Sequence, residues 1–302
     1  MARLVVVHDV LGTLFSLEAA IDELKDIFSQ QLSRAPPILP EIIIMDWYHA
    51  TQRDYTNVSI NGDYQPISKV FRATLPRILL QAGLAAPSQS SKMDESPPPQ
   101  IAGAGTSAPS VDNPRGHAHP YGEEIVERMM SSLQKLKPRP GMIEAFQTVY
   151  HDETLHSNVI SKVDLWGATN GSMDLTKQLF SSALPSFEIT SDRSPSSNHC
   201  VSIFSCDQIS TAKPHPRVYE ELKRSIGVEG GDITLKDIWF VASHTWDTYA
   251  AKRAGFKTAW VTYEEFYDCG DVYGRPDVVA KDMEEAAKEI LKYERVNRST
   301  ST

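Results

Sequence analysis

The sequence predicts an α/β fold built on a parallel sheet, with a helical segment inserted after the first strand. Two patterns point there. Short runs of β-branched and aromatic residues end abruptly in polar clusters, as strands buried on both faces do. Between most of these runs lie stretches with apolar residues at three-to-four spacing, so strand and helix alternate and the crossovers are right-handed. A third observation, the long interruption from about Phe15 to Tyr121, sets the inserted segment apart.

Leu4-Val5-Val6-Val7 is the first strand and stops at His8-Asp9. A helix follows from about Ser16, carried by Leu17, Ala20, Ile21, Leu24, Ile27 and Phe28, and Pro36-Pro37 closes it. Trp47–Tyr55 and Lys69–Ala82 also read as helical. From about Ala86 to Pro120 the chain turns to Pro, Ser, Gly and Ala, including Pro97-Pro98-Pro99. Too little apolar surface is present there to offset ordering entropy, so a mobile excursion is expected. That stretch accounts for the apolar content of 41%, below the roughly 45–50% usual for globular chains. The helical pattern Tyr121–Leu136 fits either the insert or a connector; the boundaries adopted are 1–15 and 122–302 for the sheet domain and 16–121 for the helical cap.

Further strands are Val163–Ala168 before Thr169-Asn170-Gly171, Val201–Ser205 before Lys213-Pro214, Ile238–Ala242 before Ser243-His244-Thr245-Trp246-Asp247, and Thr258–Val261. Helical patterns occupy about Met173–Ala183, Pro216–Ile226 and Asp247–Ala254, the last stopping at Gly255.

Composition narrows the function. The 30 Lys+Arg against 39 Asp+Glu give a net charge of −9 and no basic run, which argues against nucleic-acid binding. No apolar run approaches a membrane span, and the N-terminal stretch is too short for a signal h-region. Cys200, Cys206 and Cys269 are an odd count without metal-ligand spacing. A soluble cytoplasmic protein is the expectation, and a homodimer is left open. His117 and His119 have metal-pair spacing, but they lie in the Pro-rich stretch and are not assigned as ligands.

In a parallel sheet, ligands bind at the carboxyl ends of strands, where each polar cluster above falls. Asp9, with Gly12-Thr13 turning the chain, can serve as a nucleophile beside backbone N–H groups. Lys213 keeps it ionised, Thr169 and Asn170 donate hydrogen bonds to substrate, and Asp247 orients Lys213 or a hydrolytic water. His8 either tunes Asp9 or packs, and Trp246 reads as packing.

Asp9-Val10-Leu11-Gly12-Thr13-Leu14-Phe15, Ala168-Thr169-Asn170-Gly171, Lys213-Pro214-His215-Pro216-Arg217-Val218-Tyr219 and Phe240-Val241-Ala242-Ser243-His244-Thr245-Trp246-Asp247 resemble, in order, the four motifs of the haloacid dehalogenase (HAD) superfamily. The Lys213-to-Tyr219 spacing and the Ser-x-x-Trp-Asp ending most resemble the L-2-haloacid dehalogenase branch. The resemblance implies a Rossmann-like core with an inserted helical cap, an aspartyl-enzyme ester on Asp9, and hydrolytic displacement at carbon of a 2-haloacid-like anion. It also implies substrate contacts from Leu11, Gly12, Thr13, His49, Tyr219, Ser243 and His244.

Departures from the family pattern bear on the chemistry. Family phosphatases carry an acid two residues after the nucleophile and a metal-ligating Asp four residues before the last Asp; here these are Leu11 and Ser243. A halide needs no proton, and attack on carbon needs no Mg²⁺, so no cofactor is expected. In the cap, His49 stands where the dehalogenases have an Arg that receives halide, with Tyr48 and Arg53 nearby, and Ala242 replaces a Ser. Two alternatives remain. One is a small-metabolite phosphatase with Mg²⁺ held by Asp9, the Leu11 carbonyl and Asp247. The other is a HAD-like binding protein without catalysis.

Overall fold

A computed structural model of the chain describes residues 2–33, 38–86, 120–151, 160–191, 199–228 and 233–299. Pro36-Pro37, His117, His119 and nearly all of the Pro-rich stretch lie outside the described residues. The chain divides into two compact units. Met1–Ser16, Val58–Tyr64 and Lys137–Thr302 form the first; Leu17–Asn57 and Gln65–Leu136 form the second.

In the first unit the strands are β1 (Ala2–Asp9), β2 (Phe15–Ser16), β3 (Lys137–Pro138), β4 (Ile160–Thr169), β5 (Glu188–Thr190), β6 (Cys200–Ser205), β7 (Ile238–Ala242), β8 (Lys257–Val261) and β9 (Val278–Ala280). Seven of them make one parallel sheet in the order β5-β6-β4-β1-β7-β8-β9, and β2 and β3 pair antiparallel. Leu4, Val5, Val6 and Val7 are all fully buried, which explains why β1 reads as an unbroken apolar run rather than an alternating one. Strand β1 lies between β4 and β7, with Asp9 opposite Ala168 and His8 opposite Val241. This register brings the polar ends of three strands level.

Helices are numbered in chain order. Those of the first unit are α6 (Met142–His151), α7 (Met173–Ala183), α8 (Pro216–Ile226), α9 (Thr245–Arg253), α10 (Gly270–Tyr273) and α11 (Met283–Ser299). Helix α8 starts on Pro216 with the His215 side chain accepting from Arg217 N–H, and ends at Gly227 in the left-handed region. Its Val218, Tyr219, Leu222 and Ile226 share one cluster with Val5, Val7, Trp166, Phe204 and Phe240 of the sheet. That face holds the two elements that carry Lys213 and Asp247 against the strand ends.

The second unit contains α1 (Glu18–Ile27), α2 (Ser29–Leu32), most of α3 (Pro40–Ile60), α4 (Ile67–Gln81) and α5 (Gly122–Ser132). Trp47, Tyr48, Tyr55 and Phe71 are buried, and Trp47 Nε1 donates to the Phe71 carbonyl at 3.0 Å. Helix α5, which the sequence reading grouped with the sheet domain, belongs to this unit. Arg72 pairs with Glu123 and Glu127, and Arg128 with Glu23 and Asp26. Residues 58–64 instead group with the sheet, where Ser59 Oγ accepts from Ala212 N–H at 2.9 Å and Tyr64 donates to Asp207 at 2.5 Å. Among the described residues, no helix is long and apolar enough to cross a membrane.

Candidate active site

Asp9 closes β1, and its two oxygens are held differently. Oδ1 accepts from Lys213 Nζ at 2.5 Å; Oδ2 accepts from Thr13 Oγ1 at 2.7 Å. Lys213 enters from the loop before α8 and also donates to Asp247 Oδ2 at 2.6 Å and to the Ala168 carbonyl at 3.2 Å. Asp247, in the first turn of α9, accepts through Oδ1 from Tyr219 Oη at 2.5 Å. The Asp9 side chain keeps 8% of its surface exposed, against 1% for Lys213 and 0% for Asp247. Of the two carboxylates on the lysine, only Asp9 has surface to offer a reactant.

The electrostatics separate the pair further. Burial opposes ionisation of Asp9, but the Lys213 ammonium and His244 outweigh it and hold the carboxyl well below the usual carboxylate range. Burial lifts Asp247, Lys213 pulls it back, and the Asp9 charge adds to the lift. Burial works against the Lys213 ammonium too, yet Asp247 and Asp9 together keep it above the ordinary lysine value. Environments that push neighbouring acids apart in this way assign them different roles.

Thr169 ends β4 and Asn170 follows it, but their acceptor atoms are used within the framework. Thr169 Oγ1 accepts from Gly171 N–H at 2.8 Å, and Asn170 Oδ1 accepts from Lys213 N–H at 3.0 Å. Asn170 therefore fixes the backbone that delivers the lysine. Ser243 donates its N–H to Thr13 Oγ1 at 2.9 Å, and the two hydroxyls lie 3.1 Å apart. Thr13 has a single hydroxyl proton, which goes to Asp9, so Ser243 Oγ donates to Thr13. Leu11 bridges to Phe15, and Gly12 takes a φ of +87°, which closes the turn after the strand. His8 is buried against Phe146, ring centroids 4.7 Å apart, and burial lowers its pKa to about 4. It is a neutral packing residue. His49 lies in the second unit on α3, exposed, its ring 5.5 Å from that of Tyr48.

The loop after β8 supplies groups that the sequence reading did not single out. Glu264 Oε2 lies 3.0 Å from His244 Nε2, while His244 Nδ1 lies 3.9 Å from Asp9 Oδ2. Arg139 pairs with Glu264 and donates to the Gly12 carbonyl at 2.8 Å. Tyr263 donates to the Thr13 carbonyl, and Glu265 accepts from Thr245 N–H at 2.8 Å, capping α9. Acidic and basic groups thus alternate through the row Asp247, Lys213, Asp9, His244, Glu264 and Arg139, with side chains buried as far as Glu264 and the half-buried Arg139 at its end. Their signal in the sequence was the polar run Thr262-Tyr263-Glu264-Glu265 at the carboxyl end of a strand, the same cue that marked the other clusters.

The divalent-cation alternative can be tested against these groups. Asp9 and Asp247 share the Lys213 ammonium, and Ser243 is bound to Thr13. Among the described residues no group of three or more His, Cys, Asp or Glu is arranged to hold a metal ion. The residues present do not fit Mg²⁺. Cys200, Cys206 and Cys269 are free thiols.

No family model matches the chain. Its fold is similar to that of L-2-haloacid dehalogenase from Xanthobacter autotrophicus with chloropropionic acid covalently bound, at a TM-score of 0.61, 18% identity, and coverage of 96% of this chain and 99% of that one. The chain has the haloacid dehalogenase fold. A HAD-hydrolase from Bacillus subtilis bound to magnesium shares it at a TM-score of 0.57 and 13% identity, covering 97% of this chain and 100% of that one. In sequence, (S)-2-haloacid dehalogenase 2 from Pseudomonas sp. (strain CBS-3) is 31% identical over 85 residues, or 28% of this chain. That match spans 34% of the relative's length. At the carboxyl ends of the strands Lys213 touches Asp9, Asp247 and the Ala168 carbonyl, which Thr169 follows in β4.

Proposed function

We propose that the chain is a HAD-type hydrolase that displaces halide from a 2-haloacid-like anion through an ester on Asp9. The observation that carries this reading is the Asp9 carboxylate, ionised by Lys213 at 2.5 Å and the only acid of the pair with open surface. An ionised oxygen attacks the halide-bearing carbon, the C–X bond breaks, and halide leaves as an anion without needing a proton. Water then adds to the Asp9 carboxyl carbon, and the Lys213 ammonium beside Oδ1 offsets the charge that develops on oxygen. Expulsion of the hydroxy acid restores Asp9. The likeness to relatives whose names state 2-haloacid dehalogenation supports the same substrate class.

Phosphoryl transfer is less well supported. Leu11 offers no acid for an alkoxide leaving group, and the carboxylates are matched by Lys213 rather than arranged around a divalent cation. The test is a single turnover with a haloacid panel in H₂¹⁸O, followed by mass spectrometry of the Asp9 peptide. Label in Asp9 with halide released in the presence of EDTA is the expected result. Turnover without label in Asp9 would overturn the mechanism, and no halide from any panel member would overturn the substrate class.

A further inference from the structure

Lys213 serves two carboxylates at once, with Nζ 2.5 Å from Asp9 Oδ1 and 2.6 Å from Asp247 Oδ2. Contacts that short leave little slack, so the backbone that carries the lysine has to be placed closely. That backbone is a loop, running from a short 3₁₀ turn at Cys206–Ile209 to the start of α8 at Pro216. Side chains from two other elements hold its N–H groups at successive residues. Asn170, after β4, accepts from Lys213 N–H at 3.0 Å; Ser59, in the last turn of α3, accepts from Ala212 N–H through Oγ at 2.9 Å. Ala212 is buried, so without Ser59 its N–H would have little water to turn to.

The end of α3 is shaped for this contact. Gly62 takes a φ of +81°, its N–H donates to the Ser59 carbonyl at 3.0 Å, and Asp63 N–H donates to the Val58 carbonyl at 3.1 Å. This pair of bonds is the Schellman closure of a helix. It turns the chain back so that Tyr64 meets the same loop, where its hydroxyl donates to Asp207 Oδ1 at 2.5 Å. Ser59 and Tyr64 thus grip the loop at Ala212 and Asp207. Between those two points lies Ser210, a non-glycine residue at a φ of +49°. Backbone of that kind persists where its surroundings hold it in place.

Resting on the aspartyl-ester reading, we propose that Ser59 and Tyr64 are positioning residues for Lys213: the closing turn of α3 sets the lysine loop so that one ammonium reaches both Asp9 and Asp247. Their partners lie 153 and 143 residues further along the chain, so no local pattern marks either residue. Both act on the loop rather than on Asp9, and their effect on the chemistry passes through the ammonium. A relaxed loop leaves the attacking carboxylate less well held and the charge on the ester oxygen less well offset. An error of about 1 Å at such a group costs on the order of 10²-fold in rate. Neither residue is asked to bind substrate, so the rate should change and the affinity should not.

The test compares the full-length wild type with Ser59→Ala, Tyr64→Phe, the double variant and Ser59→Thr. Single-turnover halide release from chloropropionate, with enzyme in excess, gives a rate constant per folded molecule. It should fall about 10-fold in each single variant and about 10²-fold in the double, at an unchanged half-saturating concentration. Ser59→Thr keeps the hydroxyl oxygen and should restore the rate. In ¹⁵N-lysine NMR, the Nζ–H signal that Lys213→Met deletes should exchange with water faster in Ser59→Ala and in Tyr64→Phe. A purely structural role would lower the folded fraction, read by near-UV circular dichroism, and leave both the rate constant and that signal as they were. Such a result, or no rescue by Ser59→Thr, overturns the inference alone; Tyr64→Phe decides the matter if Ser59→Ala fails to fold. Absence of halide release from the wild type overturns the reading beneath, and the NMR signal still decides whether Ser59 and Tyr64 place Lys213.

Discussion

Lys213 and Asp9 are paired at 2.5 Å although 204 residues separate them in the chain. The pair is the point where the loop before α8 is tied to the end of β1. Removing one partner of a buried ion pair typically costs about 3–5 kcal/mol, because the other charge is left uncompensated. Lys213→Met keeps the apolar stem and deletes the ammonium between Asp9 and Asp247. It should therefore lose roughly that much stability at pH 8 and abolish measurable halide release. Without Lys213 the Asp9 pKa rises, so the deficit should shrink as pH falls toward 5 and the acids protonate. Urea unfolding at the two pH values checks the sign; an equal deficit at both would contradict the charge argument.

Tyr219 tests the far side of the same lysine. Its ring is fully buried in the face shared by α8 and the sheet, and its hydroxyl donates to Asp247 at 2.5 Å. Tyr219→Phe keeps the packing and removes one hydrogen bond to a buried acid, a change worth about 1.5–3 kcal/mol. Asp247 then rises further in pKa and holds Lys213 less firmly. Stability should drop within that range while kcat falls more than KM changes. A change confined to KM would place Tyr219 on the substrate instead of on Asp247.

The sheet strands that carry chemistry were legible because each is a continuous apolar run ending in a polar cluster. Helices α7 and α8 were read to the residue, since Pro216 and the run before Ala183 mark their ends. Strands β5 and β9 were not anticipated: each has three residues, at a sheet edge, and Glu188 interrupts the apolar signal of β5. Helix α11 went unread although Met283, Ala286, Ala287, Ile290 and Leu291 follow three-to-four apolar spacing; only Glu294 departs from that pattern. Glu294 is buried because Trp239 Nε1 donates to it at 2.8 Å and Lys257 pairs with it, contacts that no local pattern encodes. Within the site, Asp9, Lys213 and Asp247 follow from strand-end position, whereas Glu264 and Arg139 depend on two loops meeting over Gly12.

Gly12 is where that meeting leaves no room. A Cβ on it would lie 2.6 Å from Glu264 Oε2 and 2.9 Å from His244 Cε1, and its φ of +87° already disfavours any side chain. The left-handed backbone alone costs a non-glycine residue roughly 1–2 kcal/mol. Gly12→Ala should lose at least that in unfolding free energy. It should also displace the imidazole that helps keep Asp9 ionised, so halide release slows. A loss of stability with halide release unchanged would show that the loops yield without moving His244.

Two buried histidines should give stability opposite dependences on pH. His8 has a pKa lowered to about 4 by burial, so between about pH 6.5 and 4 the unfolded chain binds the proton that the folded chain refuses. Stability falls as pH drops through that window, by roughly 2 kcal/mol at pH 5 at about 1.36 kcal/mol per pKa unit. His244 is the reverse. Its pKa is raised to about 10 by Asp9 and Glu264 against burial, so its contribution is complete below about pH 6.5 and is lost as pH climbs toward 10. Stability should peak between these limits. His8→Asn should flatten the acid side of the curve and leave the alkaline side as it was; His244→Asn should flatten the alkaline side. Urea titrations at pH 5, 7 and 9 measure both arms. If either variant ran parallel to the wild type across its own window, the protonation state assigned to that histidine would be wrong.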